Sequence, residues 1–205
     1  MIVIVNYGIG NLGSVLNMLK KIGAAATISA DADEIDKAEK LILPGVGAFD
    51  AGMRQLHASG LVGLLNDKVL NRRTPTLGIC LGMQLMTEKS EEGELPGLGW
   101  IKGGNVRFRF DDGQTNLKVP HMGWNTVTST RDDTLFKDLD AEARFYFVHS
   151  YHVVCQSEGD VLAWTHHGGR FVSAFQHANI LGTQFHPEKS HKFGMKLLSN
   201  FAGLA

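Results

Sequence analysis

Short apolar runs alternate with helical patterns along the first eighty residues, and this order strongly limits the folds open to the chain. Residues 2–5 form a continuous apolar run, as expected for a strand buried on both faces. Residues 11–22 then carry apolar side chains at helical spacing. The alternation continues with strands predicted at 24–29, 40–43 and 74–79, and with helices at 33–38 and 49–71, the last broken near Ser59-Gly60. This order predicts a parallel sheet covered by helices on both faces.

The second half of the chain has a different pattern. Between residues 100 and 175 the apolar runs are short and carry alternating or aromatic side chains, at 106–108, 124–127, 145–148 and 161–164. Turn residues at 111–113 and 167–169 separate them, so we expect antiparallel strands that extend the sheet or wrap its edge. A strand at 180–185 and a helix at 192–201 follow. We predict one α/β domain, 1–205, with an open flavodoxin-like or Rossmann-like sheet, a parallel core, antiparallel additions and helices on both faces.

The composition excludes several classes of function. Hydrophobic residues make up 43% of the 205 residues, and the net charge is −1, so nothing favours binding to nucleic acid or to an anionic membrane. The two cysteines are too few for a disulfide framework. The first residues predict a strand and not a signal peptide, and no apolar run reaches the roughly 18 residues of a membrane span. We therefore expect a cytoplasmic protein.

Cys80 occupies the junction between a predicted strand and a helix predicted over 81–89, in the run Gly78-Ile79-Cys80-Leu81-Gly82. Gly-x-Cys-x-Gly at such a junction has the form of a nucleophile elbow, with sulfur in place of the usual serine oxygen. The glycines allow a sharp turn that holds the sulfur strained and exposed, and the helix N-terminus favours the thiolate. Cys80 is therefore the candidate nucleophile, and an inert core thiol is the alternative.

A second motif, His186-Pro187-Glu188, directly follows the last predicted strand. A histidine placed beside the elbow is a general base that takes the thiol proton and later returns it to a leaving amine. Glu188 is predicted to orient the imidazole, because residues two apart project from the same face of a regular strand. Cys80, His186 and Glu188 form the predicted catalytic triad.

The run Pro44-Gly45-Val46-Gly47 ends a predicted parallel strand, at the sheet edge where open α/β sheets bind their ligands. A glycine-rich backbone can turn an N–H group toward a developing oxyanion. The N–H of Val46 and that of Leu81, directly after the nucleophile, are the predicted oxyanion donors.

These motifs together resemble the class I, or triad, glutamine amidotransferases, and the resemblance covers almost the whole chain. Its most specific parts are Gly-Ile-Cys-Leu-Gly-Met-Gln, which begins at Gly78, and the C-terminal His-Pro-Glu. Within that family, the stretches 6–12, 44–49, 120–125, 147–151 and 184–190 are similar to the glutaminase subunits of imidazole glycerol phosphate synthases, which belong to histidine biosynthesis.

The resemblance implies a reaction and a substrate. Cys80 would attack the side-chain amide of L-glutamine, form a γ-glutamyl thioester and release ammonia, after which water releases glutamate. It implies no cofactor and no metal. A carboxylate at Glu92 suits the α-ammonium group of the substrate. The implied substrate-binding positions are Gly47, Gln84, Glu92, Ser150 and Tyr151.

A glutaminase without a synthetase part also implies a partner that receives the ammonia. By the resemblance, that partner is a (β/α)₈-barrel cyclase, bound as a heterodimer. It acts on a phosphorylated ribulosyl aminoimidazole-carboxamide and forms imidazole glycerol phosphate and an aminoimidazole carboxamide ribotide. We further hypothesise that the Gly45–Val46 peptide is misoriented at rest and that the loaded partner turns its N–H inward, since glycine makes such a flip cheap. The implied partner-facing residues are Asn11, Trp124, Tyr146 and Lys189.

Two other functions fit parts of the sequence. Gly8-x-Gly10-x-x-Gly13 follows a strand, as in a dinucleotide site, with Asp31 or Asp33 as the ribose acid. That pattern would suit a non-catalytic nucleotide-binding module. Within the amidotransferases, a component of anthranilate or aminodeoxychorismate synthase is the alternative, against which Met83 and the run 122–125 argue.

The remaining cysteine and most histidines are expected to be structural. Cys155 is expected to be a packed residue on a strand. His149 and His152 lie three apart on one predicted strand and would face opposite ways, so they would not share a zinc ion. His121 is expected to be structural or on the surface, and Glu91 to lie on a solvated acidic face.

Overall fold

An eleven-stranded mixed sheet lies at the centre of a computed structural model that describes residues 1–110 and 117–204. The strands of the described chain are β1 (Ile2–Val5), β2 (Ala26–Ser29), β3 (Lys40–Gly45), β4 (Thr76–Cys80), β5 (Lys89–Ser90), β6 (Gly103–Arg107), β7 (His121–Thr126), β8 (Thr128–Ser129), β9 (Arg144–His149), β10 (Tyr151–Cys155), β11 (Val161–His166), β12 (Arg170–His177) and β13 (Ile180–Thr183). The α-helices are α1 (Leu12–Lys21), α2 (Ala32–Asp36), α3 (Phe49–Ala58), α4 (Val62–Asn66), α5 (Leu81–Leu85) and α6 (His191–Ala202).

One half of the sheet is parallel, in the order β2, β1, β3, β4 and β13. Every residue of β1 is buried, because helices cover both faces of the sheet. Ile2 and Ile4 belong to the apolar core under α1 and α6, whereas Val3 and Val5 belong to the core under α3 and α5. Successive side chains of the strand therefore pack into two cores on opposite faces of one sheet.

The other half of the sheet is antiparallel. β12 pairs with β13, β10 with β12 and β6 with β10, while the short β5 pairs in parallel with β6 at the edge. β11 lies against β12 off this path and also pairs with β8. β7 and β9 pair with each other and form a separate two-stranded sheet. The predicted α/β fold, with a parallel core, antiparallel additions and helices on both faces, is confirmed.

The break predicted near Ser59-Gly60 is confirmed, since α3 ends at Ala58, the chain turns at Gly60 with a φ of +72°, and α4 then leads into a π-helical turn at Asp67–Asn71. One helical prediction differs from the structure. The helix after Cys80 ends at Leu85 and does not reach residue 89. The carbonyl of Gln84 at that helix end accepts from the N–H of Thr87 at 3.1 Å and from its hydroxyl at 2.8 Å.

The turn predicted at 111–113 lies outside the described residues. In the ranges 1–110 and 117–204, no helix is long and apolar enough to cross a membrane. Over the same ranges, no group of three histidine, cysteine or carboxylate side chains could hold a metal ion.

Candidate active site

Cys80 is the last residue of β4, and α5 begins at the next residue. Its backbone has a φ of +53° and a ψ of −110°, a conformation that a residue with a Cβ rarely adopts. Such strain costs about 1–3 kcal/mol and persists only where the surrounding structure imposes it. Cys80 is buried, with 7% of its surface exposed, so the prediction of an exposed sulfur is wrong. The strained strand-to-helix turn expected of a nucleophile elbow is present at this cysteine.

The two glycines of the elbow allow α5 to lie directly against the sheet. A Cβ on Gly82 would overlap the carbonyl oxygen of Leu43 on β3, and a Cβ on Gly78 would lie 2.7 Å from the backbone of Met83. Both neighbours are backbone atoms of packed elements and cannot easily move. The Gly-x-Cys-x-Gly pattern is therefore required by close backbone approach at this turn.

His186 and Glu188 form a buried pair behind the nucleophile. Nδ1 of His186 lies 2.7 Å from Oε1 of Glu188, and each side chain is 2% exposed. The carboxylate can only accept, so the imidazole donates from Nδ1. The prediction that both residues continue a regular strand is wrong: β13 ends at Thr183, and the pair spans a 3₁₀ turn at Pro187–Lys189.

The backbone around this histidine is held on both sides. The N–H of His186 donates to the carbonyl of Tyr146 on β9 at 2.9 Å, and its carbonyl accepts from the hydroxyl of Ser190. The same hydroxyl accepts from the N–H of Tyr146 at 3.0 Å. The position of the imidazole is therefore coupled to β9.

Charge at His186 is stabilised by its neighbours. Burial opposes the imidazolium, but the Cys80 thiolate and the Glu188 carboxylate outweigh burial and raise the pKa of His186 well above its ordinary value. Nε2 of His186 is buried and has no hydrogen-bond partner among the described residues. An imidazolium that keeps one N–H free beside a sulfur is suited to give a proton to a leaving group.

A cavity of about 330 Å³ opens over the sulfur and the imidazole. It collects predicted residues from separate parts of the chain. Glu188 does not line it and lies behind His186. The predicted residues that do line it are Val46, Gly47, Cys80, Leu81, Gln84, Glu92, Ser150, Tyr151 and His186.

The segment 44–47, which carries the predicted oxyanion donor Val46, lies beside the elbow. Gly45 pairs with Cys80 in the parallel register of β3 and β4. Val46 is 42% exposed, and Gly47 has a φ of +101°, so the chain turns sharply at the mouth of the cavity. The hydroxyl of Tyr7 donates to the carbonyl of Pro44 at 2.7 Å, which fixes the start of this segment.

Glu92 contributes a carboxylate to the far wall of the cavity. Its Oε2 accepts from the N–H of Phe49 at 2.9 Å, at the first turn of α3. Its own N–H donates to the hydroxyl of Ser90. Glu91, by contrast, is exposed and pairs with Arg109 at 3.0 Å, as expected for a solvated acidic side chain.

Pro120, Val148 and His149 also line the cavity and were not predicted as site residues. Two residues behind the cavity were missed as well. Gln184 is fully buried, accepts from Nε2 of Gln84 at 3.1 Å and places its own Nε2 3.9 Å from the sulfur of Cys80. The hydroxyl of Tyr7 holds the carbonyl of Pro44, at the start of the segment 44–47. Burial raises the pKa of this hydroxyl far above its ordinary value, and the charge of Cys80 adds to the effect. Both occur in stretches that carried the resemblance, at 184–190 and 6–12, and this was the only signal for them.

Three of the predicted partner-facing residues form one patch. The ring of Trp124 is 47% exposed, stacks on His191 at 5.4 Å and meets Tyr146 at 6.2 Å. Nζ of Lys189 lies 5.5 Å from the centre of the Tyr146 ring. Asn11 is exposed at the start of α1, the helix that packs against the turn holding Lys189.

The prediction for the paired histidines was wrong in one respect. His149 ends β9 and His152 belongs to β10, and both rings contact Phe108, at 5.2 and 4.7 Å. The chain turns at Ser150, so spacing along a single strand does not apply to them. His121 is 5% exposed, so of the two expected locations it is buried and not on the surface.

The remaining alternatives have simple structural roles. Asp31, the candidate ribose acid, accepts from the N–H groups of Asp33 and Glu34 and so caps α2. Cys155 is half-buried on β10, where burial and then the charge of Asp160 raise its pKa to about 12.

Comparison with known proteins places this site in a family. The sequence model of the class-I glutamine amidotransferases matches residues 3–203. The protein HisH 2 of imidazole glycerol phosphate synthase from Pseudomonas aeruginosa is 51% identical over 204 residues, which is 100% of each chain. HisH 2 from Methanococcus maripaludis is 52% identical over 201 residues and 98% of each chain. HisH from Leptospira borgpetersenii is 46% identical over 204 residues and 100% of each chain.

Solved structures agree on the fold. A crystal structure of a glutamine amidotransferase matches with a TM-score of 0.74 and 20% identity, covering 98% of this chain and 99% of that one. A chain in the structure of PurLQS from Thermotoga maritima matches with a TM-score of 0.74 and 17% identity, covering 98% and 96%. The family model matches residues 3–203, and the full-length relatives share about half of the chain's residues. The chain therefore belongs to the class-I glutamine amidotransferases, as a glutaminase subunit of imidazole glycerol phosphate synthase.

Proposed function

We propose that the chain hydrolyses L-glutamine at Cys80, His186 and Glu188 and passes the ammonia to a cyclase subunit. One observation carries the assignment of the residues. A strained elbow cysteine and a buried histidine line one cavity, and a buried carboxylate lies 2.7 Å from the far nitrogen of that histidine. The proposal treats residues 1–205 as one amidotransferase domain, which the family match over 3–203 supports.

The geometry suggests how the protons move. The Cys80 thiolate attacks the carbon of the glutamine side-chain amide, and the new C–S bond leaves a tetrahedral oxyanion. The N–H at Nε2 of His186 gives its proton to the amide nitrogen, the C–N bond breaks, and ammonia leaves from a γ-glutamyl thioester. Neutral His186 then takes a proton from water as it attacks the thioester, and glutamate leaves as the thiolate returns. Glu188 stabilises each imidazolium.

The oxyanion of both steps needs N–H donors. Leu81, at the first turn of α5, supplies one, and Val46 supplies the second once its peptide points inward. Tyr7 holds the carbonyl of Pro44, so the rotation is confined to the Gly45–Val46 peptide. This supports the hypothesis that a loaded partner completes the oxyanion hole.

The wall of the cavity suggests how glutamine is held. Glu92 suits the α-ammonium group. Both N–H bonds of the Gln84 amide are occupied, by the carbonyl of Tyr151 and by Gln184, which leaves its oxygen for the substrate. Gly47 and the Ser150–Tyr151 backbone close the pocket.

The chemistry of the product, ammonia, requires a partner protein that receives it. Ammonia set free in water protonates and diffuses away, so a cyclase must receive it directly. The subunit names of the relatives support an association of this kind. We propose a (β/α)₈-barrel cyclase in a heterodimer, bound at the patch formed by Trp124, Tyr146 and Lys189 and at Asn11.

Covalent labelling tests the proposed nucleophile. A diazoketone analogue of glutamine, incubated with the complex of this chain and a cyclase loaded with its ligand, is expected to add one glutamine-sized mass at Cys80 and none at Cys155. Free glutamine is expected to protect the thiol. Labelling at Cys155, or no labelling at either cysteine, would refute the assignment.

Glu188→Gln tests the role of the buried carboxylate. Removing its charge lowers the pKa of His186, because the carboxylate is one of the groups that raise it. The imidazolium is then lost at lower pH, so the alkaline limb of the kcat/KM profile for glutamine is expected to move down by about one pH unit. kcat at neutral pH is expected to fall by about ten- to a hundredfold. Glu91→Gln, which removes an exposed carboxylate, serves as control, and an unmoved alkaline limb in folded Glu188→Gln would contradict the role.

Trp124→Ala tests the proposed interface. A large aromatic at the centre of an interface is worth about 2 kcal/mol, so the Kd for the cyclase is expected to rise about thirtyfold. Titration calorimetry measures it. Leu70→Ala is the matched control, since Leu70 is equally exposed at 47% but lies in the turn before β4, at the opposite end of that strand from Cys80. Equal affinities for the two variants would exclude the patch.

A further inference from the structure

Two buried histidines with no part in the reaction above face each other across the two-stranded sheet. His121 on β7 and His149 on β9 are register partners, 5% and 6% exposed. Nδ1 of His121 lies 3.1 Å from Nε2 of His149. One of these two nitrogens must donate and the other accept, and their neighbours decide which.

The neighbouring groups determine which ring nitrogen donates in the bond between His121 and His149. Nδ1 of His149 lies 2.9 Å from the carbonyl oxygen of Tyr151, which can only accept. His149 therefore carries its proton on Nδ1, its Nε2 accepts, and His121 donates from Nδ1. Nε2 of His121 must then accept, and the amide nitrogen of Asn125 lies 3.1 Å from it.

The Asn125 amide is oriented independently. Its oxygen accepts from the N–H of Thr126 at 2.9 Å, and its nitrogen also donates to the carbonyl of His166 at 2.9 Å. An unbroken line of donors therefore runs from Asn125 through His121 and His149 to the Tyr151 carbonyl.

Both rings are neutral, so the bonds keep the direction of donation from Asn125 to the Tyr151 carbonyl. Burial, and then the charge of His167, lowers the pKa of His121 to about 4. Burial lowers the pKa of His149 well below its ordinary value, although the hydrogen bond to Tyr151 opposes it. A neutral imidazole has a single N–H, so each ring can serve only one donor bond.

The line ends on the wall of the glutamine cavity, which His149 itself also lines. The Tyr151 carbonyl also accepts from Nε2 of Gln84 at 2.9 Å, so its oxygen is held by two donors from different elements. The carbonyl of the preceding residue, Ser150, accepts from the N–H of Phe108. The Ser150–Tyr151 backbone and the Gln84 side chain therefore depend on one shared acceptor for their placement.

We propose that His149 is a positioning residue for glutamine binding. Its Nδ1–H holds the Tyr151 carbonyl, and through it the Ser150–Tyr151 wall and the Gln84 amide. His121 acts one step behind, by fixing the tautomer that makes His149 a donor at Nδ1. The inference rests on the proposed glutaminase function and predicts a defect in substrate binding, not in the chemical step.

Two substitutions at residue 149 separate the two nitrogens. The amide nitrogen of asparagine lies near the position of Nδ1, so His149→Asn keeps a donor for Tyr151. The amide of glutamine reaches the position of Nε2, so His149→Gln keeps an acceptor for His121 and loses the donor. In the complex with the cyclase, His149→Gln is expected to raise KM for glutamine about tenfold or more, with kcat within about threefold of wild type. His149→Asn is expected to stay within about threefold in both constants.

His152→Gln is the matched control, because His152 packs in the same aromatic cluster without joining the line. Ammonia-dependent synthesis by the complex should be retained in every variant, which reports folding and assembly. Equal KM values for the asparagine and glutamine variants, or an equal rise in His152→Gln, would overturn the inference. Failure of the proposed function itself gives a different result, a wild-type complex without glutaminase activity.

A measurement on the wild-type chain covers the case in which a variant does not fold. Long-range ¹H–¹⁵N correlation spectra of the full chain report which ring nitrogen carries the proton. Protonated Nδ1 and bare Nε2 are expected for both His121 and His149 across about pH 6 to 8. A proton on Nε2 of His149 would overturn the inference without reference to activity.

Discussion

Cys80→Ala is expected to lower glutamine-dependent synthesis by the complex with the cyclase at least about a thousandfold, because no other described residue that lines the cavity carries a thiol. Ammonia supplied in the buffer is expected to sustain synthesis at the wild-type rate, because the cyclase reaction does not use the thiol. Alanine keeps a Cβ at the strained position, so the backbone of the elbow is not relieved by the change. Both activities are followed by product formation, with glutamine or with ammonium salt as nitrogen source.

The chain contains its own matched control for this experiment. Cys155→Ala removes the other thiol, which is half-buried on β10 and protonated at neutral pH because burial raises its pKa to about 12. It is expected to leave both activities unchanged. Glutamine-dependent synthesis that survived in Cys80→Ala would refute the mechanism, and a chain that lost neither activity would instead behave as a binding module.

Gly82→Ala is expected to have the largest effect on stability. The added methyl group would overlap the carbonyl oxygen of Leu43, so α5 would have to move away from β3. Overpacking against fixed backbone costs about 3 kcal/mol or more, which lowers Tm by roughly 6–12 °C in a chain of this length. Thermal unfolding followed by circular dichroism measures the shift, and glutaminase activity is expected to fall with it because the elbow is displaced.

Gly63→Ala is the control for the glycine substitution. Gly63 also lies in a helix, α4, but a Cβ there meets no atom within 4 Å. Alanine at that position is expected to raise stability by about 0.5–1 kcal/mol, since it restricts the unfolded chain and favours the helix. A Gly82→Ala protein as stable as Gly63→Ala would show that α5 does not need the close approach.

Local patterns predicted the parallel half of the fold well. The continuous apolar run of β1 and the helical spacing of α1 are local patterns, and such patterns are sufficient to indicate a buried strand and an amphipathic helix. The elbow at Cys80 could be predicted for the same reason, because its chemistry and its glycines lie within five residues. The motif His186-Pro187-Glu188 identified a pair that the structure brings to 2.7 Å, although a 3₁₀ turn and not a strand creates that geometry.

The rest depends on pairings between distant segments. Gln84 and Gln184 meet across a hundred residues, and no local pattern contains that contact. The cluster around Phe108 forms because β6 pairs with β10 and β7 with β9, so the histidines at 121, 149 and 152 converge from three strands. The expected two-residue alternation failed for His149 and His152 because the chain changes strand between them.

The two-stranded sheet of β7 and β9 also sets how a bound protein can influence the reaction. Trp124 projects from one of its strands and Tyr146 from the other, at the surface proposed for docking. The carbonyl of that same tyrosine holds the N–H of His186. We therefore expect a bound protein that tilts β7 and β9 to shift the imidazole of His186 through this one backbone hydrogen bond, without a long relay of side chains.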